Sequence, residues 1–122
     1  PSGAELYLRP MFWAADGFVD VDPESTEFSV SVYDSPLPQP KGFSVTCSPF
    51  RRPSYEYAPT DAKAACHYPN SARAIREARA RGFDNAVMLD PLGNVSELAT
   101  ANIWFVKDGE AHTPVPNGTF LN

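Results

Sequence analysis

The sequence predicts an α+β protein, mostly strands with one main helix. Three observations predict it. Polar and apolar residues alternate with period two at 27–33 and again at 43–48, the pattern of half-buried strands. Apolar positions recur at helical spacing in one segment, from about Asn70 to Arg81. An Asp-Gly pair at 108–109, flanked by apolar residues, signals a hairpin. Composition agrees with a folded chain. Of 122 residues, 43% are hydrophobic and 20% charged, which fits a globular rather than a disordered protein. Ten Lys plus Arg against fifteen Asp plus Glu leave a net charge of −5, which argues against a nucleic-acid or anionic-membrane partner. No apolar run approaches the ~18 to 20 residues of a membrane helix. The opening Pro1-Ser2-Gly3-Ala4-Glu5 lacks the basic stretch of a secretory signal. Two cysteines are too few for a disulfide scaffold, so a reducing, cytoplasmic setting is expected. Thirteen prolines, against about six at average usage of about 5%, predict a fold rich in loops and turns.

The elements follow in order. Glu5–Ala14 is aromatic and reads as a strand, with Pro10 confined to an edge because it has no N–H to donate. Asp16-Gly17 marks a turn, and 27–33 is the second strand. Residues 34–42 hold Pro36, Pro38, Pro40 and Gly42 with no periodic pattern, so they read as a linker stiffened by proline. A third strand runs over 43–48, then loop from Arg51 to Thr60. The helix is preceded by Pro69, offered a cap by Asn70 or Ser71, and stopped by Gly82. Ala72, Ala74, Ile75 and Ala78 form its expected apolar side, with Arg73, Arg76, Glu77 and Arg79 opposite. Asn85–Leu89 reads as a buried strand, 90–94 as a turn, and 102–106 with 111–115 as the arms of the Asp-Gly hairpin. The closing Thr119-Phe120-Leu121-Asn122 has nothing after it to pack on, so the chain is expected to be a fragment.

Few residues suggest chemistry unaided. Of the three lysines, Lys41 and Lys107 have ordinary solvated readings. Lys63 lies among small residues in Asp61-Ala62-Lys63-Ala64-Ala65-Cys66. In a dry setting a lysine loses basicity and can act as a nucleophile. Taken alone, though, an isolated lysine reads as solvated. Glu97, between a turn and an apolar run, can cap backbone or bind a cation, and capping is the simpler role. His67 and His112 have no third partner nearby, so no metal site is expected. Cys47 and Cys66 read as small buried thiols. The arginines at 73, 76, 79 and 81 read as a solvated helix face, and Arg51-Arg52 is too short for a basic tract.

In order, several segments resemble the branched-chain aminotransferases, members of the fold-type IV class of pyridoxal 5′-phosphate (PLP) enzymes. Tyr7-Leu8-Arg9-Pro10 is similar to their Y-x-R-P strand. Lys63–Tyr68 is similar to their K-x-x-x-N-Y segment, with the helix and Gly82-Phe83-Asp84 following. Leu89-Asp90, Val95-Ser96-Glu97 and Asn102 resemble the next stretch, and Lys107-Asp108-Gly109 with Thr113-Pro114 resembles the hairpin after it. The resemblance implies that Lys63 holds PLP as a Schiff base and moves the substrate proton, and that Glu97 faces the pyridine nitrogen. It implies that Tyr68 meets the cofactor's phenolic oxygen and that Tyr7 and Arg9 lie on the substrate side, Arg9 for a second carboxylate. The implied activity is amino-group transfer between branched-chain L-amino acids and 2-oxoglutarate, in a homodimer. D-amino-acid transaminases and aminodeoxychorismate lyases share the lysine and the glutamate, and a non-catalytic interaction fragment is the remaining alternative. The sequence departs from the family at Ala65-Cys66-His67, where Gly-Gly-Asn is common, and at Leu98–Ala101, where the family is richer in glycine. The implied division is the end of a small N-terminal domain at 1–33, an interdomain linker at 34–42, and the first part of a large PLP-binding domain at 43–122. The family's phosphate-binding segments fall outside these residues, so this chain alone is expected to hold PLP poorly.

Overall fold

The strand expected over 5–14 forms as β1, Leu6–Ala14, in a computed structural model that describes residues 3–121. Pro1, Ser2 and Asn122, part of the terminal readings above, lie outside the described residues. β1 pairs antiparallel with β2, Thr26–Asp34, in unbroken register from Leu6 opposite Asp34 to Ala14 opposite Thr26. Pro10 sits opposite Val30. A two-stranded ribbon leaves one side of each strand open, so its missing N–H is tolerated. Between the strands the turn at Gly17 has φ +96°, and an added Cβ would meet the Asp20 carbonyl oxygen at 2.5 Å. Asp22 caps a short 3-10 turn, Pro23–Ser25, by accepting from the Glu24 N–H at 2.9 Å. Leu8, Phe12 and Phe28 remain well exposed on this ribbon.

The chain divides into two units, Pro1–Lys41 and Gly42–Asn122. The second is built on a three-stranded sheet in the order β3-β4-β5. β3 (Val45–Arg51) and β4 (Asn85–Leu89) are parallel, and β5 (Val95–Leu98) returns antiparallel to β4. The parallel pair needs a crossover, supplied by a 3-10 turn, Ala65–His67, and the helix α1, Tyr68–Ala80. α1 packs on β3 and β4. Its alanines let the backbones approach closely: Ala74, Ala78, Ala86, Met88 and Ala99 form the buried cluster, flanked by Phe50, Ile75 and Phe83. Gly82, φ +85°, ends the helix, and the Phe83 N–H donates to the Ala78 carbonyl at 3.0 Å. That is the wrap-back bond of a glycine C-cap. The hairpin forms as β6 (Phe105–Lys107) and β7 (Glu110–His112). Asp108 and Gly109 both have positive φ, 53° and 83°, as a type I′ turn requires.

Several expectations are corrected. The helix starts at Tyr68, and no side chain caps it. Asn70 instead donates to the Arg51 carbonyl and accepts from Arg73 Nε, while Ser71 is buried. Ala72 is exposed, so the buried stripe is Ser71, Ala74 and Ala78. β3 runs on to Arg51, because its backbone continues to pair with Leu89. β5 contains Glu97, which therefore lies in a strand and not beside one. Cys47 and Cys66 are exposed, not buried: Cys47 falls on the face of β3 away from the buried Ser48, and Cys66 in the 3-10 turn. Phe120 is buried, because residues 117–119 are tied to the rest of the unit by side-chain hydrogen bonds. The expected solvated helix face is observed, with Arg73, Arg76 and Arg79 exposed and Arg81 Nε paired to Glu77 at 2.7 Å.

Candidate active site

A cavity of about 240 Å³ opens at the start of α1 in the second unit. Three segments build it. Thr60–Ala64 leads into the 3-10 turn and brings Lys63. The turn and first helical residues bring His67, Tyr68 and Ser71. β5 and the residues after it bring Glu97, Ala99, Thr100 and Asn102. The strand register explains Glu97: it stands opposite Met88, and cross-strand partners share a face, here the face that α1 covers.

Lys63, Tyr68 and Glu97 thus line one space. Lys63 is exposed, as is Tyr68, which agrees with the solvated reading of the lysine taken alone. Glu97 is the desolvated member. Its side chain is 12% exposed and pairs with Arg52, Nε to Oε1 at 3.1 Å, itself 8% exposed. Burial pushes the Glu97 carboxyl above the usual carboxylate range, and the nearby charges of Arg52 and then His67 pull it back. The His67 ring nitrogen Nε2 donates to the Pro59 carbonyl at 2.9 Å, which orients the imidazole. Thr100 lines the cavity and accepts from the Asn85 amide at 3.0 Å. Asn102 donates to the Leu121 carbonyl. A larger cleft, about 800 Å³, shares Arg52 and His67 with this cavity and is lined further by Phe50, Tyr57, Cys66 and Arg73. Neither Lys63 nor Glu97 borders it.

Tyr7 and Arg9 lie in the first unit, two apart on β1 and so on one face of the strand. Tyr7 packs beside its cross-strand partner Tyr33, ring centroids 5.3 Å apart. Among the described residues no group of three or more His, Cys, Asp or Glu is placed to hold a metal, and no helix is long and apolar enough to cross a membrane.

Sequence reasoning passed over Arg52. It belongs to an Arg-Arg pair at the end of β3, and strand alternation turns Arg51 out and Arg52 in. That alternation was the available signal.

An amine, a phenol and a desolvated carboxylate with its own cation border one cavity. The family model described as amino-transferase class IV matches residues 1–122. The chain belongs to the class IV aminotransferases. It is 35% identical over 115 residues to the branched-chain-amino-acid aminotransferase of Pseudomonas aeruginosa, covering 88% of this chain and 38% of that protein. A crystal structure of an aminotransferase from Brucella abortus bound to the cofactor PLP superposes with a TM-score of 0.96 at 50% identity. That match covers all of this chain and 45% of that one. The branched-chain aminotransferase of the archaeon Thermoproteus uzoniensis, solved with norvaline, gives 0.79 at 33% identity, covering 95% of this chain and 40% of that one. The chain therefore spans about two fifths of the length of these relatives. The fold is that of the fold-type IV enzymes.

The residues present fit PLP at its ring. Lys63 offers an amine for the aldehyde, Tyr68 a hydroxyl, and Glu97 an acceptor kept from water.

Proposed function

We propose that this chain carries part of the active site of a PLP-dependent aminotransferase that moves amino groups between branched-chain L-amino acids and 2-oxoglutarate. The observation that carries the reading is the meeting of Lys63, Tyr68 and Glu97 on one cavity. When bound, PLP supplies an electron sink for the charge left at the substrate Cα. Lys63 would hold the cofactor through its amine and would take and return the substrate Cα proton. Glu97, beside Arg52, would accept a hydrogen bond from the cofactor's ring nitrogen and so favour charge withdrawal toward it. Tyr68 donates its hydroxyl toward the cofactor's phenolic oxygen. Tyr7 and Arg9 serve the substrate, Arg9 presenting a planar guanidinium to a carboxylate.

The reading extends to organisation. Residues 1–33 close a small N-terminal domain, 34–42 form the linker, and 43–122 begin the large PLP-binding domain. The protein works in the cytoplasm as a homodimer. Two neighbours in family and fold, from P. aeruginosa and T. uzoniensis, are named branched-chain aminotransferases, which favours that substrate group.

Two measurements test this. Incubation of the full-length protein with PLP and borohydride should add the cofactor's mass to Lys63, and labelling elsewhere or not at all would refute the assignment. The 122-residue chain alone should label far less. Full-length protein should turn over L-leucine and L-valine with 2-oxoglutarate; activity with D-alanine or aminodeoxychorismate in their place would move it to another member of the class.

A further inference from the structure

Glu97 stands at one end of a run of polar contacts through the buried Arg52, Thr119, Ser96 and Asp90, linked by the exposed Asn117. Arg52 Nε lies 3.1 Å from Glu97 Oε1 and donates to the Thr119 carbonyl oxygen at 3.0 Å. Thr119 is 3% exposed. Its hydroxyl donates to Asn117 Oδ1 at 2.7 Å, and it lies 2.5 Å from the Ser96 hydroxyl. One hydroxyl carries one hydrogen, so Ser96 is the donor to Thr119. The Asn117 amide then donates to Asp90 Oδ2 at 2.8 Å. Asp90 is 1% exposed and also accepts from the Asn94 N–H at 2.8 Å and the Asn94 amide at 3.0 Å. Thr60 clamps the same segment from its other side, donating to the Gly118 carbonyl at 2.6 Å. Within the run the Ser96, Thr119 and Asn117 side chains and both Asp90 carboxylate oxygens have partners, and linked contacts of this kind give a polar network a defined geometry.

We infer that Arg52 is the positioning residue for Glu97, and that the chain Asp90–Asn117–Thr119 is the strut that holds Arg52 in place. The inference rests on the reading of Glu97 as the partner of the cofactor's ring nitrogen. A buried carboxylate tends to take up a proton. A protonated Glu97 has lost the negative charge that favours a protonated ring nitrogen. Arg52 keeps the carboxylate charged, and its shared Nε, fixed by a backbone carbonyl, decides where that charge sits. The other titratable or charged groups bordering the cavity are Lys63, His67 and Tyr68. None of them has a hydrogen bond or ion pair to the Glu97 carboxylate among the described residues.

The test is a carboxyl titration of the full-length apoprotein labelled with ¹³C-glutamate. Glu97→Gln identifies the Glu97 resonance by its loss. Arg52→Gln should raise the Glu97 proton affinity by roughly ten- to a thousandfold, the range for removing a close opposite charge. Arg52→Lys should restore part of that shift. Asn117→Leu, which cuts the strut without touching Arg52 or Glu97, should shift it in the same direction by a smaller factor. It should also lower the absorbance of the PLP-loaded protein's protonated-ring band. Circular dichroism checks folding, and if Arg52→Gln does not fold, Arg52→Lys and Asn117→Leu decide. An unchanged Glu97 titration in the arginine variants overturns the role of Arg52, and one unchanged in Asn117→Leu overturns the strut. If the titration shifts but PLP does not label Lys63, the cofactor reading fails and the strut stands. If Lys63 labels fully and the titration does not move, the reverse holds.

Discussion

In the first unit every residue from Leu6 to Ala14 is matched across to β2, yet Phe12 and Phe28 remain 78% and 65% exposed. In the second unit the strands are shorter and the ladder is broken by two register shifts, yet Ala74, Ala78, Ala86 and Met88 are fully buried. Backbone pairing and side-chain burial are therefore separate achievements. A two-stranded ribbon has two faces and no layer of its own to cover them. The second unit places a helix over its sheet, and small side chains on both surfaces bring the layers together. Stability within this chain should follow burial, not strand length.

The largest test of that contrast is a pair of truncations. Met88→Ala empties a fully buried site and should cost about 2–5 kcal/mol, as large-to-small core changes do. Phe12→Ala removes a bigger side chain from an exposed face and should stay within roughly 0.5 kcal/mol. Hydrogen exchange resolved by peptide measures both, one unit at a time. Equal losses of protection in the two units would break the comparison.

Turns reverse the ranking. Gly17 and Gly82 both hold positive φ. A Cβ at Gly82 meets nothing within 4 Å, whereas at Gly17 it would overlap the Asp20 carbonyl. Gly82→Ala should cost the ~1–2 kcal/mol of a left-handed backbone, and Gly17→Ala more, because the loop must also shift. Local exchange at 15–25 and at 78–86 reads the difference. The first unit's vulnerable point is thus its turn and not its apolar surface.

These differences explain what the sequence made legible. Alternation revealed β2 and most of β3, aromatic and apolar runs revealed β1 and β4, and Gly82 and Asp108-Gly109 revealed two chain reversals, because each is a local rule with a local cause. The resemblance pointed to Lys63, Tyr68 and Glu97, which the fold brings to one cavity. β5 escaped because four residues, Val95–Leu98, carry too little pattern. The burial of Phe120 and the inward turn of Arg52 escaped for another reason. Both are fixed by hydrogen bonds spanning 58 and 67 positions, Thr60 to Gly118 and Arg52 to Thr119; strand alternation alone hints at Arg52, and nothing local announces Phe120.

The smallest expected effect is electrostatic and distinguishes two kinds of carboxylate within the second unit. Asp84 accepts from the Ser44 N–H at 2.7 Å and the Ser44 hydroxyl at 2.8 Å. The backbone hydrogen bond first, then the hydroxyl, hold its carboxyl below the ordinary aspartate value. A lowered folded value means the folded state resists protonation. The stabilisation is therefore complete above pH 3.8 and lost as pH falls through the lower folded value. Glu97 has the opposite sign. Burial lifts it above 4.5, so the folded state binds the proton more readily than the unfolded chain. Its contribution is most favourable below pH 4.5 and diminishes as pH rises through the folded value. Asp84→Asn should therefore flatten the acid limb below pH 3.8, and Glu97→Gln should flatten the slope just above pH 4.5. Urea midpoints across roughly pH 2.5 to 7, a range that brackets these carboxylates, would read both. A slope above pH 4.5 that survives Glu97→Gln would show that Arg52 offsets the burial of Glu97 completely.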